Sequence, residues 1–401
     1  MNGLNKKSID DVQVSGKRVL VRCDFNVPFV NDEISDDTRI IASIPTIKKL
    51  IEKNAKIILC SHLGKAEKHM SLQKVADHLS ILINRPVKFI KTSRVVNDEV
   101  KDFIRNMNDG EIVLLENTRL RPEETECGEV FSMELANLCD IFVNDAFGTA
   151  HRAHSSNVGV AKYVEPSVSG YLMKKEIENL MNAIENPKRP FVAILGGAKV
   201  KDKLKVIDKL LETCDTLLLG GGMAYTFLKA KGYDVGKSLV DDDKISYCID
   251  MIKKAKDLNK KMILPVDCIC SKEFPNPITN ININTEQFDI DCIPSDYMGL
   301  DIGYKTIKIF IDEMRKAKTI IWNGPVGLFE NQKFALGTYS VARTMADLKK
   351  VITIVGGGDS ASAVKAFNFS DKMTHISTGG GATLEYLEGV ELPGVVVLSN
   401  K

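Results

Sequence analysis

Residues 169–187 read SGYLMKKEIENLMNAIENP, and the chain changes character across them. Leu172, Met173, Ile177, Leu180, Met181 and Ile184 recur at three- and four-residue steps, which lays one apolar stripe along a helix. Ser169 is the expected N-cap, and Asn186-Pro187 the expected stop. Before the stripe, strand-like runs end in Asp, Asn, Arg and His; after it, they end in Gly-Gly and Gly-Gly-Gly. The stripe reads as a helix joining two chemically different halves. Periodicity alone equally permits a surface helix inside one large domain.

A chain of 401 residues exceeds the usual size of one core, so two domains are expected. The apolar and charged fractions are those of a soluble globular protein. A formal net charge of +1 gives no global field toward nucleic acid or an anionic membrane, so any anion site must be a local cluster. The start, MNGLNKKSIDD, lacks the apolar core of a signal peptide, and no apolar run nears the roughly 20 residues of a membrane helix. Nine scattered cysteines, with a lone C-x-C at Cys268 and Cys270, read as reduced thiols of a cytoplasmic protein.

In the first half, KRVLVRCDFNVP (17–28) is a short buried strand with Arg22, Asp24 and Asn26 at its tip. The pattern repeats in KIILCSH (56–62), in IVLLEN (112–117) followed by Arg119, and in DIFVND (140–145) followed by His151 and Arg152. Helical patterns such as Ile40–Lys53 and Leu72–Ile83 lie between them. Strand, polar tip, helix, strand is the signature of a parallel α/β sheet, whose ligands bind beyond the carboxyl ends of the strands. One rim should therefore carry Asp24, Asn26, His62, Arg119 and Arg152, with Arg39 in reach. Each alone is ordinarily a solvated or capping residue. Together they suit a phosphorylated or carboxylated small molecule, because guanidinium grips such groups bidentately.

The second half repeats strand into glycine turn: FVAILGGAKVKDK (191–203), TLLLGGGM (216–223), VITIVGGGDS (351–360) and ISTGGGA (376–382). Glycine there lets backbone N–H groups approach an anion closely, which points to a phosphate-rich ligand. Lys199 and Lys203, four apart, are expected on one helix face. MGLDIGYKT (298–306) reads as a loop, and the stretch from Pro275 to Ile290 carries no recognisable chemistry. Asp359 beside Gly356–Gly358 suits Mg²⁺ held with phosphate oxygens, or simply caps the next helix. Glu330 would take ribose hydroxyls or lie exposed. GYDVGKS (232–238) is one residue short of a phosphate-binding loop and follows a helical pattern, so it is discounted. No G-x-G-x-x-G occurs, which argues against a nicotinamide-dependent dehydrogenase. A non-catalytic nucleotide-binding module is the other alternative.

These segments, in order, resemble the phosphoglycerate kinase family from Lys17 to about Gly394: RCDFNVP, SHLGK, LLENTRLRPEE, NDAFGTAHRAHSS, GGAKVKDK, GGGMAYTF, WNGPVGLFE, VGGGDSAS and STGGGATLE. The resemblance implies phosphoryl transfer between ATP and 3-phosphoglycerate by a cytoplasmic monomer using Mg²⁺. It implies two doubly wound, Rossmann-like parallel-sheet domains joined by a hinge helix. The expected divisions are 1–168, a helix over 169–186, 187–377, and a tail 378–401 returning to the first domain. It places Asp24, Asn26, Arg39, His62, Lys65, Arg119 and Arg152 on the phosphoglycerate. It places Lys199, Lys203, Gly222, Gly299, Asn323, Glu330, Gly356, Gly357, Gly358, Asp359 and Ser360 on the nucleotide, with Asp359 at the metal. Lys65 and Ala66 replace the family's usual Arg and Pro, and Tyr304 a common Pro. The acceptor carboxylate is already ionised at neutral pH, so no general base is needed. Arg39, Lys203 and backbone N–H groups near Gly357 and Gly380 are the expected catalytic groups.

Overall fold

The computed structural model describes residues 5–65 and 70–401, so Ala66 lies outside the described residues. Two compact units form. One runs to Met181 and takes back Glu391–Lys401; the other is Asn182–Val390.

The first unit carries β1 (Arg18–Arg22), a hairpin of β2 (Phe29–Val30) and β3 (Glu33–Ile34), then β4 (Lys56–Cys60), β5 (Lys88–Phe89), β6 (Ile112–Leu114), β7 (Ile141–Asn144) and β8 (Ser167–Ser169). Hairpin apart, these pair in parallel in the order β5-β6-β4-β1-β7-β8. Their near-continuous aliphatic runs follow from burial on both faces. Val19, Val21, Ile57, Leu59, Ile112 and Val143 pack into one core, while Leu20, Ile58, Val113 and Phe142 pack into another across the sheet. Polar side chains are thereby displaced to the strand ends. β1 lies between β4 and β7, so the strand order reverses beside Asp24 and Asp145.

The second unit holds β9 (Phe191–Leu195), β10 (Thr216–Leu219), β11 (Lys261–Ile263), β12 (Asp267–Ser271), β13 (Glu286–Asp289), β14 (Met298–Ile302), β15 (Thr319–Asn323), β16 (Ile352–Gly356) and β17 (His375–Ile376). The parallel sheet runs β11-β10-β9-β15-β16-β17. In chain order this is three-two-one-four-five-six, the doubly wound arrangement with its switch point between β9 and β15. A smaller antiparallel sheet, β13-β12-β14, accompanies it. The segment read as a loop over 298–306 is therefore β14 followed by a helix, Tyr304–Met314.

The apolar stripe departs from one regular helix. Ser169 ends β8 rather than capping, and the helix Tyr171–Glu176 passes through a π turn, Ile177–Met181, into Asn182–Glu185. The division between units falls directly after that turn. Asp145 supplies the missing cap: its Oδ1 accepts from Leu172 N at 2.9 Å and Met173 N at 3.3 Å. Gly170 leaves room for this, because a Cβ there would overlap the Asp145 carboxylate. Asp145 is fully buried, and burial pushes its carboxyl up to about 7.

The returning tail is shorter than expected. Residues 378–390 belong to the second unit, where Tyr386 Oη donates to Glu185 at 2.6 Å. Glu391–Lys401 stays with the first: Lys6 Nζ donates to Val396 O and Leu398 O at 2.8 Å each, and Asn144 Nδ2 to Gly394 O at 3.0 Å.

Removing the Asp145 cap strands one buried and one partly buried N–H group, so Asp145→Ala should cost about 1–3 kcal/mol in urea unfolding. Asp145→Asn keeps an acceptor and should cost less. A carboxyl raised in the folded state favours folding at low pH, a contribution lost as pH rises through about 7. The Asn variant should therefore gain on wild type between pH 5 and 8; a constant gap would refute the cap's ionisation.

Candidate active site

In the first unit the carboxyl ends of β1, β4, β6 and β7 gather the polar rim. Asn26 Oδ1 accepts from Gly64 N at 2.8 Å, fixing the loop after His62. Arg39 donates to Asn26 O at 2.8 Å and lies 3.5 Å from the Asp24 carboxylate, its side chain still partly exposed. Arg119 NH1 donates to Gly64 O at 2.5 Å, while its buried Nε has no hydrogen-bond partner among the described residues. Burial, with Arg152 and Arg22 adding like charge, lowers the Arg119 guanidinium's affinity for its proton. Arg152 is exposed and donates from Nε to His151 Nε2 at 3.0 Å. Lys65 is exposed at the loop end.

Arg22 is the residue that the sequence undervalued. It is fully buried, one of the largest such side chains, and donates to Ser156 Oγ at 2.8 Å and to the carbonyl of Cys23. Its NH2 lies 3.1 Å from His62 Nδ1. Guanidinium can only donate, so Nδ1 accepts and the imidazole proton sits on Nε2. Burial and then Arg22, Arg119 and His154 hold His62 well below its usual range. His62 is thus a neutral donor at physiological pH. His154 is pushed down to about 4, first by burial and then by the arginines. Such a crowd of like charge, with a buried donor unanswered among the described residues, has the chemistry to take an anion.

In the second unit the switch point carries Lys203. Its ammonium donates to Asn323 O at 3.0 Å and to Asn323 Oδ1, linking the turn after β9 to the end of β15. Burial pushes it down to about 8, against an opposing pull from Asp359. The expected shared helix face is corrected here. Val200–Lys203 is a 3₁₀ turn and Lys199 precedes it in extended backbone, exposed, so the two lysines do not stack one turn apart. Ser360 is buried, its hydroxyl accepting from Gly324 N at 2.6 Å, so it fastens the helix Gly358–Ala366 to β15. Gly357, at φ +88°, turns the chain into that helix, and a side chain there would be strained. The first N–H groups of any helix lack intrahelical partners, so this end suits an anion. Gly380 caps the helix Gly381–Leu387.

A cavity of about 400 Å³ opens beside these turns. Gly222, Gly299, Glu330 and Asp359 line it, with Ala198, Lys237, Leu239, Phe274, Met298 and Leu300 supplying a largely apolar wall. Phe274 borders the stretch that seemed silent. Asn331 Nδ2 anchors that stretch through Ile278 O and Asn280 O at 2.8 Å each. Lys237 comes from the discounted GYDVGKS run, which is a wall of the cavity rather than a phosphate loop. A larger hollow of about 710 Å³ lies along the edge strand β11, lined by lysines and none of the glycine turns. The smaller one is lined by glycine-turn residues and by Asp359. Asp359 offers one carboxylate in the first turn of the helix Gly358–Ala366, which fits Mg²⁺ held jointly with phosphate oxygens. No cluster of three acidic, His or Cys ligands occurs among the described residues. No described helix is long and apolar enough to cross a membrane.

The family model for phosphoglycerate kinase matches residues 9–390. Phosphoglycerate kinase of Clostridium tetani is 54% identical over 401 residues, covering 99% of this chain and 98% of its own. That of Clostridium novyi is 55% identical, covering 99% and 100%. Among solved structures, phosphoglycerate kinase from Coxiella burnetii superposes with a TM-score of 0.90 at 38% identity over 98% of both chains. The Pyrococcus horikoshii enzyme gives 0.81 at 34%, also over 98% of both. With its parallel sheets, its cation rim and its glycine-lined cavity, the chain belongs to the phosphoglycerate kinase family.

Proposed function

We propose that this chain moves a phosphoryl group reversibly between ATP and the carboxylate of 3-phosphoglycerate, giving ADP and 1,3-bisphosphoglycerate. One observation carries the reading. Arg22, Arg119 and Arg152 crowd around a neutral His62, and Arg119 Nε is buried with no hydrogen-bond partner among the described residues. That arrangement is costly until an anion arrives. The phosphate of phosphoglycerate supplies one, held by Arg119, Arg152 and Lys65. Asp24 and Asn26 face its hydroxyl, and His62 donates from Nε2.

The acceptor carboxylate attacks unaided, because it is ionised at neutral pH. A histidine kept neutral as a donor fits that requirement. Arg39 and Lys203 neutralise charge on the transferring group, and the N–H groups after Gly357 and near Gly380 add fixed dipoles. The nucleotide base lies against Phe274, Leu239 and Met298, with Glu330 on the ribose and Lys199 toward the phosphates. Asp359 would hold Mg²⁺, which supplies charge neutralisation at the phosphates when bound. The chain acts as a monomer in the cytoplasm, a reading supported on the redox side by nine unpaired cysteines. The segment Tyr171–Glu185, broken by its π turn, is where the chain flexes between units.

Arg39→Ala should lower kcat about 10²–10³-fold while KM changes little. A raised KM with intact kcat would make Arg39 a binding residue alone. Lys203 binds phosphate as an ammonium, so kcat/KM for the nucleotide should fall as pH rises through about 8 and Lys203→Ala should erase that limb. A flat profile would contradict the assignment. ADP formation from ATP should require 3-phosphoglycerate, stop with a chelator and resume with Mg²⁺; ATP breakdown without the acceptor would overturn the reaction.

A further inference from the structure

Cys268 and Cys270 sit on β12 with their sulfurs 3.2 Å apart, and both are fully buried. Residues i and i+2 of a strand share a face. Here the β12–β14 register also shifts between Ile269 and Cys270, a bulge that kinks the strand locally. The pair is not isolated from the nucleotide cavity. Cys268 and Cys270 pack in one buried cluster with Tyr225. The Tyr225 phenol oxygen lies where a Cβ on Gly299 would be, so only glycine fits beside it. Gly299 lines the cavity, and its N–H donates to Ser238 Oγ at 2.9 Å, next to Lys237.

We propose that Cys268 and Cys270 are a reversible oxidation site whose closure is felt at Gly299. The oxidant is a hydroperoxide. One sulfur attacks the peroxide; the O–O bond breaks, an S–O bond forms, and water leaves. The second sulfur then displaces hydroxide from the sulfenic acid; S–O breaks, S–S forms, and a second water leaves. In sum, two thiols and one H₂O₂ give one disulfide and two waters, the two sulfurs losing two electrons. The sulfurs must close from 3.2 Å to about 2.05 Å, which draws β12 on itself and releases the Tyr225 contact with Gly299. The Cys268 hydrogen bond and then burial hold the Cys270 thiol above its usual range, so the pair should react more slowly than an exposed thiol. The effect on the cavity rests on the nucleotide reading above; the oxidation itself does not.

The test uses the full chain. Graded H₂O₂, alkylation with iodoacetamide under denaturing conditions and trypsin release residues 262–272 as one peptide containing both cysteines and no others. Exposed Cys292 is the internal control. The expected product is that peptide unalkylated and about 2 Da lighter than the dithiol, restored by dithiothreitol and absent from Cys270→Ser. Two alkylated cysteines at peroxide doses well beyond those that consume Cys292 would overturn the site, as would irreversible oxygen adducts in place of the lighter peptide. Oxidised protein should show KM for ATP raised at least threefold with KM for 3-phosphoglycerate unchanged, and Cys270→Ser should resist that change. A lighter peptide with unchanged KM for ATP would refute the coupling. Absence of phosphoryl transfer before any peroxide would refute the nucleotide reading instead, leaving the mass result to judge the site.

Discussion

Burial of parallel strands on both faces is the constraint from which the rest follows. Val19, Leu20 and Val21 have no exposed surface, and neither do Phe191 and Ile194. A polar side chain inside such a strand would lose its water without compensation. Chemistry is therefore confined to the carboxyl ends, where helices begin and N–H groups lack partners. Both units obey this, with opposite emphasis. The first presents side-chain cations at its strand ends; the second presents backbone through glycine.

Charge is organised differently in the two units. In the first, burial and then the charges of Arg22, Arg119 and Arg152 keep His62 and His154 neutral. In the second, a single ammonium, Lys203, is gripped by Asn323 and drawn down by burial. Each arrangement carries an unfavourable term that a bound phosphate would relieve, so on the proposed reading the folded state itself favours anions.

The strand tips could be read from the sequence because a buried aliphatic run tolerates polar residues only where it ends. Asp24, Asn26, His62 and Arg119 were legible for that reason, and the glycine turns for the converse one. What escaped depends on partners distant in the chain. Arg22 looks like any strand-end arginine until Ser156 and His62 are seen around it. Ser169 had the right chemistry for a cap, yet Asp145, 27 positions before Leu172, took the role. Phe274 borders a stretch with no recognisable chemistry, so only the cavity reveals it. Lys199 and Lys203 matched helical spacing, but a 3₁₀ turn begins between them.

The hold of Glu391–Lys401 on the first unit has a consequence for how the polypeptide is made. Lys6 bonds to carbonyls of residues 396 and 398, and Lys7 N to Ser399 O at 2.9 Å. A ribosome that has finished the second unit has yet to emit the strip that completes the first. The unit begun earliest therefore cannot be completed until the very end of the chain has been made.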